Sequence, residues 1–155
     1  MLAKAVAPTR CATDGQNVYW LEAGGAANVS GVSVQPGGMI FNVAINQNNP
    51  SALRVDATNV YWSAGGSILE APKNGTSSMA LAIALNQGAV QYIAVDNNFV
   101  YWVSGGTAVV KTPIGGGAIT TLVPAVSGGL GIAVDGTSVY WTETGSRSVR
   151  KVTPK

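Results

Sequence analysis

Ile132-Ala133-Val134-Asp135-Gly136-Thr137-Ser138-Val139-Tyr140-Trp141 is the last of four copies of one word. Ile93-Ala94-Val95-Asp96 leads to Val100-Tyr101-Trp102, Leu53-Arg54-Val55-Asp56 to Val60-Tyr61-Trp62, and Cys11-Ala12-Thr13-Asp14 to Val18-Tyr19-Trp20. All four Trp and all four Asp of the chain sit in these copies, with the Trp residues 42, 40 and 39 positions apart. A repeat near 40 residues constrains the fold before any local reading does.

Working outward from the word, each repeat breaks into four short apolar runs. The first repeat predicts strands at 11–13, 18–21, 29–34 and 39–45, parted by Asp14-Gly15, Gly24-Gly25 and Pro36-Gly37-Gly38. The second predicts 53–55, 60–63, 67–71 and 79–85, and the third 93–95, 99–103, 108–112 and 118–123. The fourth gives only 132–134, 139–142 and 148–152 before Pro154. No 3.6-residue apolar period is visible. Four strands per unit of about 40 residues is the pattern of a β-propeller blade. The expected fold is all-β: one domain over 1–155 with four four-stranded blades, at about 11–45, 53–85, 93–123 and 132–152. The spare run at 2–7 is expected to complete the last blade, in its own ring or in that of a partner chain.

Both faces of a blade are covered by neighbours, so its strands read as near-continuous apolar runs. Successive side chains of Val-Tyr-Trp point to opposite faces, which sends Tyr and Trp into opposite interblade gaps. The recurring aromatics are therefore core. The recurring Asp14, Asp56, Asp96 and Asp135 are expected to cap the turn after the first strand through backbone N–H groups two residues on. These four Asp, with Trp20, Trp62, Trp102 and Trp141, form the structural repeat.

Composition narrows the function classes. Charged residues are 10% of the chain and hydrophobic ones 46%, which is too apolar for disorder. No apolar run reaches the ~18 residues of a membrane span. A net charge of +2 from scattered Lys and Arg leaves no stripe for nucleic acid. The absence of His removes the usual general base and most metal sites. No Asp-x-Asp cluster suggests calcium, and neither cofactor nor metal is expected. Cys11 stands where the other copies have Leu53, Ile93 and Ile132, and is expected to be a small buried hydrophobe. Glu22 and Glu143, two residues past a Trp, read as solvated turn residues rather than a glycosidase pair. No export signal is present, yet the low charge and abundant Gly, Asn, Ser and Thr suggest an extracellular or periplasmic protein.

Departures from the repeat mark the candidate binding residues. Arg54 replaces the Ala of Ala12, Ala94 and Ala133 on an innermost strand, where it would point into the central channel or reach a mouth of it. The connectors between blades carry Asn46-Gln47 and Asn86-Gln87, with Tyr92 just beyond. Together these six form a candidate site for a sugar or other small polar ligand.

The same words resemble the YWTD-like and NHL-like propeller repeats, and most closely secreted bacterial propellers with blades of the form AVDxxxVYW, as in Ala133 to Trp141 and Ala94 to Trp102. That resemblance implies the propeller fold and a range of roles: lectins, receptors, scaffolds and a few enzymes. Position 143 is Glu where the Tyr-Trp-Thr-Asp word has Asp. A lyase-type propeller resembling streptogramin-inactivating enzymes would be expected to use His, which this chain lacks. The reading is a non-enzymatic binding or assembly module; the alternatives are a lectin using the connector face, and a lyase or hydrolase. As partners, the expectation is self-association of two chains into an eight-bladed ring, with a four-bladed monomer as the other solution.

Overall fold

The computed structural model describes residues 1–23, 27–75 and 79–155. The described residues form fifteen strands and no helix. Blade 1 is β1 (Pro8–Thr13), β2 (Asn17–Glu22), β3 (Ala27–Ser33) and β4 (Phe41–Gln47). Blade 2 is β5 (Leu53–Val55), β6 (Asn59–Ala64), β7 (Ser67–Pro72) and β8 (Leu81–Ala84). Blade 3 is β9 (Ile93–Val95), β10 (Phe99–Ser104), β11 (Ala108–Pro113) and β12 (Thr120–Val123). Blade 4 is β13 (Gly129–Val134), β14 (Val139–Glu143) and β15 (Ser148–Val152). Each sheet is antiparallel and meanders in chain order. The predicted all-β propeller architecture with four blades per chain is the observed one.

Register repeats as faithfully as sequence. Tyr19 pairs with Ala12 and Gly31, Tyr61 with Arg54 and Glu70, Tyr101 with Ala94 and Lys111, and Tyr140 with Ala133 and Lys151. A bulge interrupts the third–fourth strand ladder in each blade that has a fourth strand, next to Val29, Ile68 and Val109. Gly65-Gly66 and Gly105-Gly106 make the second–third strand hairpins in the left-handed region that only glycine adopts freely. The matching Gly24-Gly25 turn lies outside the described residues.

Three apolar clusters join successive blades. The first packs Tyr19, Leu21, Val29 and Val43 of blade 1 against Leu53, Val60 and Trp62 of blade 2. The second packs Tyr61, Ile68 and Ile83 against Ile93, Val100 and Trp102. The third packs Tyr101, Val103 and Val109 against Ile132, Val139 and Trp141. Every junction thus sets the Tyr face of one blade on the Trp face of the next, as the alternation of side chains requires. Among the described residues no such cluster joins blade 4 to blade 1. The chain is an arc of four blades whose two end faces have no neighbouring blade, although Trp20 on the first of them is itself buried.

Within the single chain the closing strand is a correction. Residues 1–7 form no strand, and blade 4 has three strands. Spacing explains why. The outer-strand partners of Val29, Ile68 and Val109 are Ala44, Ala84 and Val123, and the aligned first-strand residue of the next blade is Leu53, Ile93 or Ile132, nine positions on in every case. Counting nine back from Cys11 reaches Leu2, so 3–7 lies past that paired position, on the connector side, and too few residues precede it to build an outer strand. Ala7 confirms the alignment: its carbonyl accepts from Ala23 N–H as that of Gly128 accepts from Thr144, and both have positive φ.

Cys11 is a second correction, being exposed where Leu53, Ile93 and Ile132 are buried. The latter three face a preceding blade, and Cys11 has none in front of it.

Candidate functional site

The recurring Asp residues do what the turn predicts. Oδ1 of Asp56 accepts the N–H groups of Thr58 and Asn59, both at 2.7 Å, and Oδ2 accepts the Tyr61 hydroxyl at 2.7 Å. Asp14, Asp96 and Asp135 repeat this with Tyr19, Tyr101 and Tyr140. Each carboxylate thereby satisfies two turn N–H groups and the polar end of a core aromatic. Burial alone would raise the Asp56 pKa, but the N–H groups and the Tyr61 hydroxyl outweigh it and hold it below the ordinary value. Asp96 is held at about 2: the Lys155 ammonium, 2.5 Å away, and the turn N–H groups overcome the burial that opposes them. Asp14 is likewise lowered against burial by Lys73, at 2.7 Å, with the N–H groups of Asn17 and Gln16. These acids are spent on structure.

The connector amides are also structural. Trp62 Nε1 donates to Gln47 Oε1 at 2.8 Å, and Trp102 Nε1 to Gln87 Oε1 at 3.1 Å. Both Gln side chains in addition donate to a nearby carbonyl, of Ile45 and Leu85. Asn46 and Asn86 adopt positive φ (55° and 60°), a conformation that suits Asn and bends the connector. These four therefore shape the connector rather than gather around a common cavity.

The other two blades solve the same problem differently. In blades 1 and 4 the position fifteen before Trp is Ala5 or Val126, which has no side-chain acceptor. There the acceptor lies two residues after the Trp: Glu22 Oε1 at 3.2 Å and Glu143 Oε1 at 2.9 Å. Blades 2 and 3 have Ala64 and Ser104 at that place. Every buried indole N–H thus has one acceptor, taken from the connector or from its own strand. The reading of Glu22 and Glu143 as solvated turn residues is corrected accordingly: Glu143 is buried, Glu22 is half-buried, and each binds its indole. The pattern was present in the sequence as a reciprocal exchange of Gln and Glu.

Arg54 and Tyr92 remain, and the structure brings these two together. They line a cleft of about 320 Å³ with Arg10, Cys11, Thr9 and Gln91, at the inner strands of blades 1 and 2 and the connector into blade 3. Arg10 lies 5.1 Å from the Tyr92 ring centroid in a cation–π contact, and its Nε donates to the Ser51 carbonyl at 3.2 Å. Arg54 Nη1 donates to the Leu53 carbonyl at 2.9 Å. Arg10 was missed in the sequence because it lies one residue outside the repeated word, where the other copies have Ala52, Tyr92 and Gly131.

With that geometry in place, similarity to known proteins is informative about the fold. No protein-family model matches the chain, and no curated protein does. A solved nidogen/laminin complex contains a chain that superposes with a TM-score of 0.75 at 18% identity, over 93% of this chain and 59% of that one. This chain therefore spans less than two thirds of that chain's length. The computationally designed Ika4 protein superposes with a TM-score of 0.77 at 16% identity, over 99% of this chain and 94% of that one. A calcium-binding protein, regucalcin, from Agrobacterium tumefaciens superposes with a TM-score of 0.63 at 13% identity, covering 87% and 52%. At these identities the likeness shows the fold alone, and the fold it shows is the β-propeller.

Proposed function

We propose that the chain is a non-enzymatic assembly and binding module that completes its ring with a second copy of itself. One observation carries this: the two ends of the arc are the two halves of a junction that the chain already builds three times. On blade 4, Val149 aligns with Val29, Ile68 and Val109 by its cross-strand partner. Those three are fully buried, whereas Val149 is 74% exposed. Tyr140 is half-buried where Tyr19, Tyr61 and Tyr101 are buried, and Thr142 is exposed where Leu21, Ser63 and Val103 are buried. On blade 1, Cys11 is exposed and Val18 half-buried where their counterparts Leu53 and Val60 are buried.

A face that matches its complement at three internal junctions has that same complement at the far end of another copy. Two copies related by a twofold along the ring axis make both missing junctions at once, giving eight blades and no free face. The AVDxxxVYW words that resemble secreted bacterial propellers fit an extracytoplasmic scaffold of this kind. The recurring acids, engaged with turn N–H groups, Tyr hydroxyls and indoles, favour this reading over a lyase or hydrolase. The use of Gln47 and Gln87 as indole acceptors weighs against a lectin built on the connector amides.

Light scattering behind a sizing column at low micromolar concentration tests the assembly. The expected mass is twice the 15.7 kDa of one chain. Val149→Asp, on an exposed position, should reduce it to one chain with the far-UV spectrum unchanged. A single-chain mass for the unmodified protein, or a dimer indifferent to Val149→Asp, would overturn the proposal.

A further inference from the structure

We propose that the cleft between Arg10 and Arg54 is a binding site for a small oxyanion, a ligand with a phosphate or carboxylate head group. The site is formed by residues of one chain, and Cys11 on its wall also lies at the blade 1 end used in the assembly proposed above.

Both arginines are departures from the repeat. Position 54 is Ala in the other three copies, and the counterparts of position 10 are Ala, Tyr and Gly. Both point into the same cleft. A guanidinium has five N–H donors and cannot lose its charge. Backbone carbonyls take one donor from each, Ser51 for Arg10 and Leu53 for Arg54. Among the described residues the ion pairs are Lys73–Asp14, Arg150–Glu143 and Lys155–Asp96, and none includes Arg10 or Arg54. No acid lines the cleft. Two like charges share a recess of about 320 Å³ with no neutralising partner, an arrangement that an anion stabilises.

The remaining walls suit the same ligand. Gln91 adds an amide that can donate, while the Thr9 hydroxyl is given to the Leu21 carbonyl. The cation–π contact with Tyr92 and the bond to the Ser51 carbonyl hold the Arg10 guanidinium at the recess, where its remaining donors can meet an oxyanion. Arg54 also borders a second space of about 230 Å³, walled by Val55, Ala94, Val95, Ile132 and Ala133 along the inner strands. The head group is thus held at the cationic recess while the rest of a ligand can run along an apolar channel wall.

The experiment titrates inorganic phosphate into the full chain by isothermal calorimetry, with ionic strength held constant by sodium chloride. In parallel, the ³¹P linewidth of inorganic phosphate is followed with added protein. Saturable heat and line broadening are expected. Arg10→Gln and Arg54→Gln should each raise the half-saturating concentration about tenfold, the loss of one charge-assisted hydrogen bond. Both positions are exposed, so circular dichroism should be unchanged. Citrate in place of phosphate separates the two head groups: tighter binding of citrate assigns the recess to carboxylates, and weaker binding assigns it to phosphates. No saturable effect in either readout, or equal effects in the unmodified chain and Arg54→Gln, would overturn the site.

Discussion

Replacing Gln47 by Val should strand the indole N–H of Trp62, and adding Ala64→Glu should rescue it. Trp62 is fully buried, and its Nε1 has Gln47 Oε1 as acceptor at 2.8 Å. Leaving a buried donor without a partner costs about 1–3 kcal/mol. Ala64 lies two residues after the Trp, the place from which Glu22 and Glu143 serve Trp20 and Trp141 at 3.2 and 2.9 Å. Ala64→Glu alone puts a carboxylate at a buried site where Gln47 already holds the indole, at a cost of about 1–3 kcal/mol. In the double variant the connector is apolar, as at Ala5 and Val126, and the Glu takes the N–H. Urea unfolding followed by Trp fluorescence gives the four stabilities, with the denaturant slope unchanged if the native state is preserved. The double variant should be more stable than the sum of the singles allows by about 1 kcal/mol or more. Additivity within about 0.3–0.5 kcal/mol would refute the claim that the two acceptors are interchangeable.

Asp56→Ala removes the acceptor of two turn N–H groups and of the Tyr61 hydroxyl, and should cost about 2–4 kcal/mol by the same unfolding assay. Trp102→Ala, which empties the centre of the junction between blades 2 and 3, should cost about 3–5 kcal/mol. The four recurring Asp have folded pKa values below their ordinary ones, so their contribution is present above the ordinary carboxylate range and is lost as pH falls through the folded values, about 2 for Asp96 and Asp135. Melting temperature should therefore fall between about pH 4 and pH 2. Glu70 runs the other way: burial raises its pKa, so its ionised form opposes folding, and Glu70→Gln should raise the melting temperature at pH 7 and leave it nearly unchanged at pH 3.

The sequence carried the fold in its repeated words, because a blade buried on both faces needs the same side chains in every copy. Tyr and Trp on opposite faces, Asp at the turn, and Gly at the hairpins were each legible from period and residue chemistry. The closing strand was misread because an apolar run at 2–7 looks like a strand on composition alone; only the nine-residue offset, visible once the ladders are known, places it in a connector. Cys11 was misread because its burial depends on a neighbouring blade, which the word itself does not record. The amide cluster was misread because Gln47 and Gln87 look like loop residues until the indole fifteen positions away is seen to need them. Arg54 was legible as an exception to a rule, and Arg10, outside the rule, was not.

An open arc also fixes how the molecule comes apart. Three junctions for four blades make a linear chain of nearest-neighbour couplings, in which an end blade is held on one side and an inner blade on two. Amide exchange should then be graded along the chain. The central strands β6 and β10 should be the last to exchange, and β2 and β14 should open first in single chains at high dilution. Joining the ends would turn the line into a circle, where every blade has two neighbours and the gradient disappears. Exchange measured across concentration thus reads the closure of the ring strand by strand, from the loss of a difference between blades.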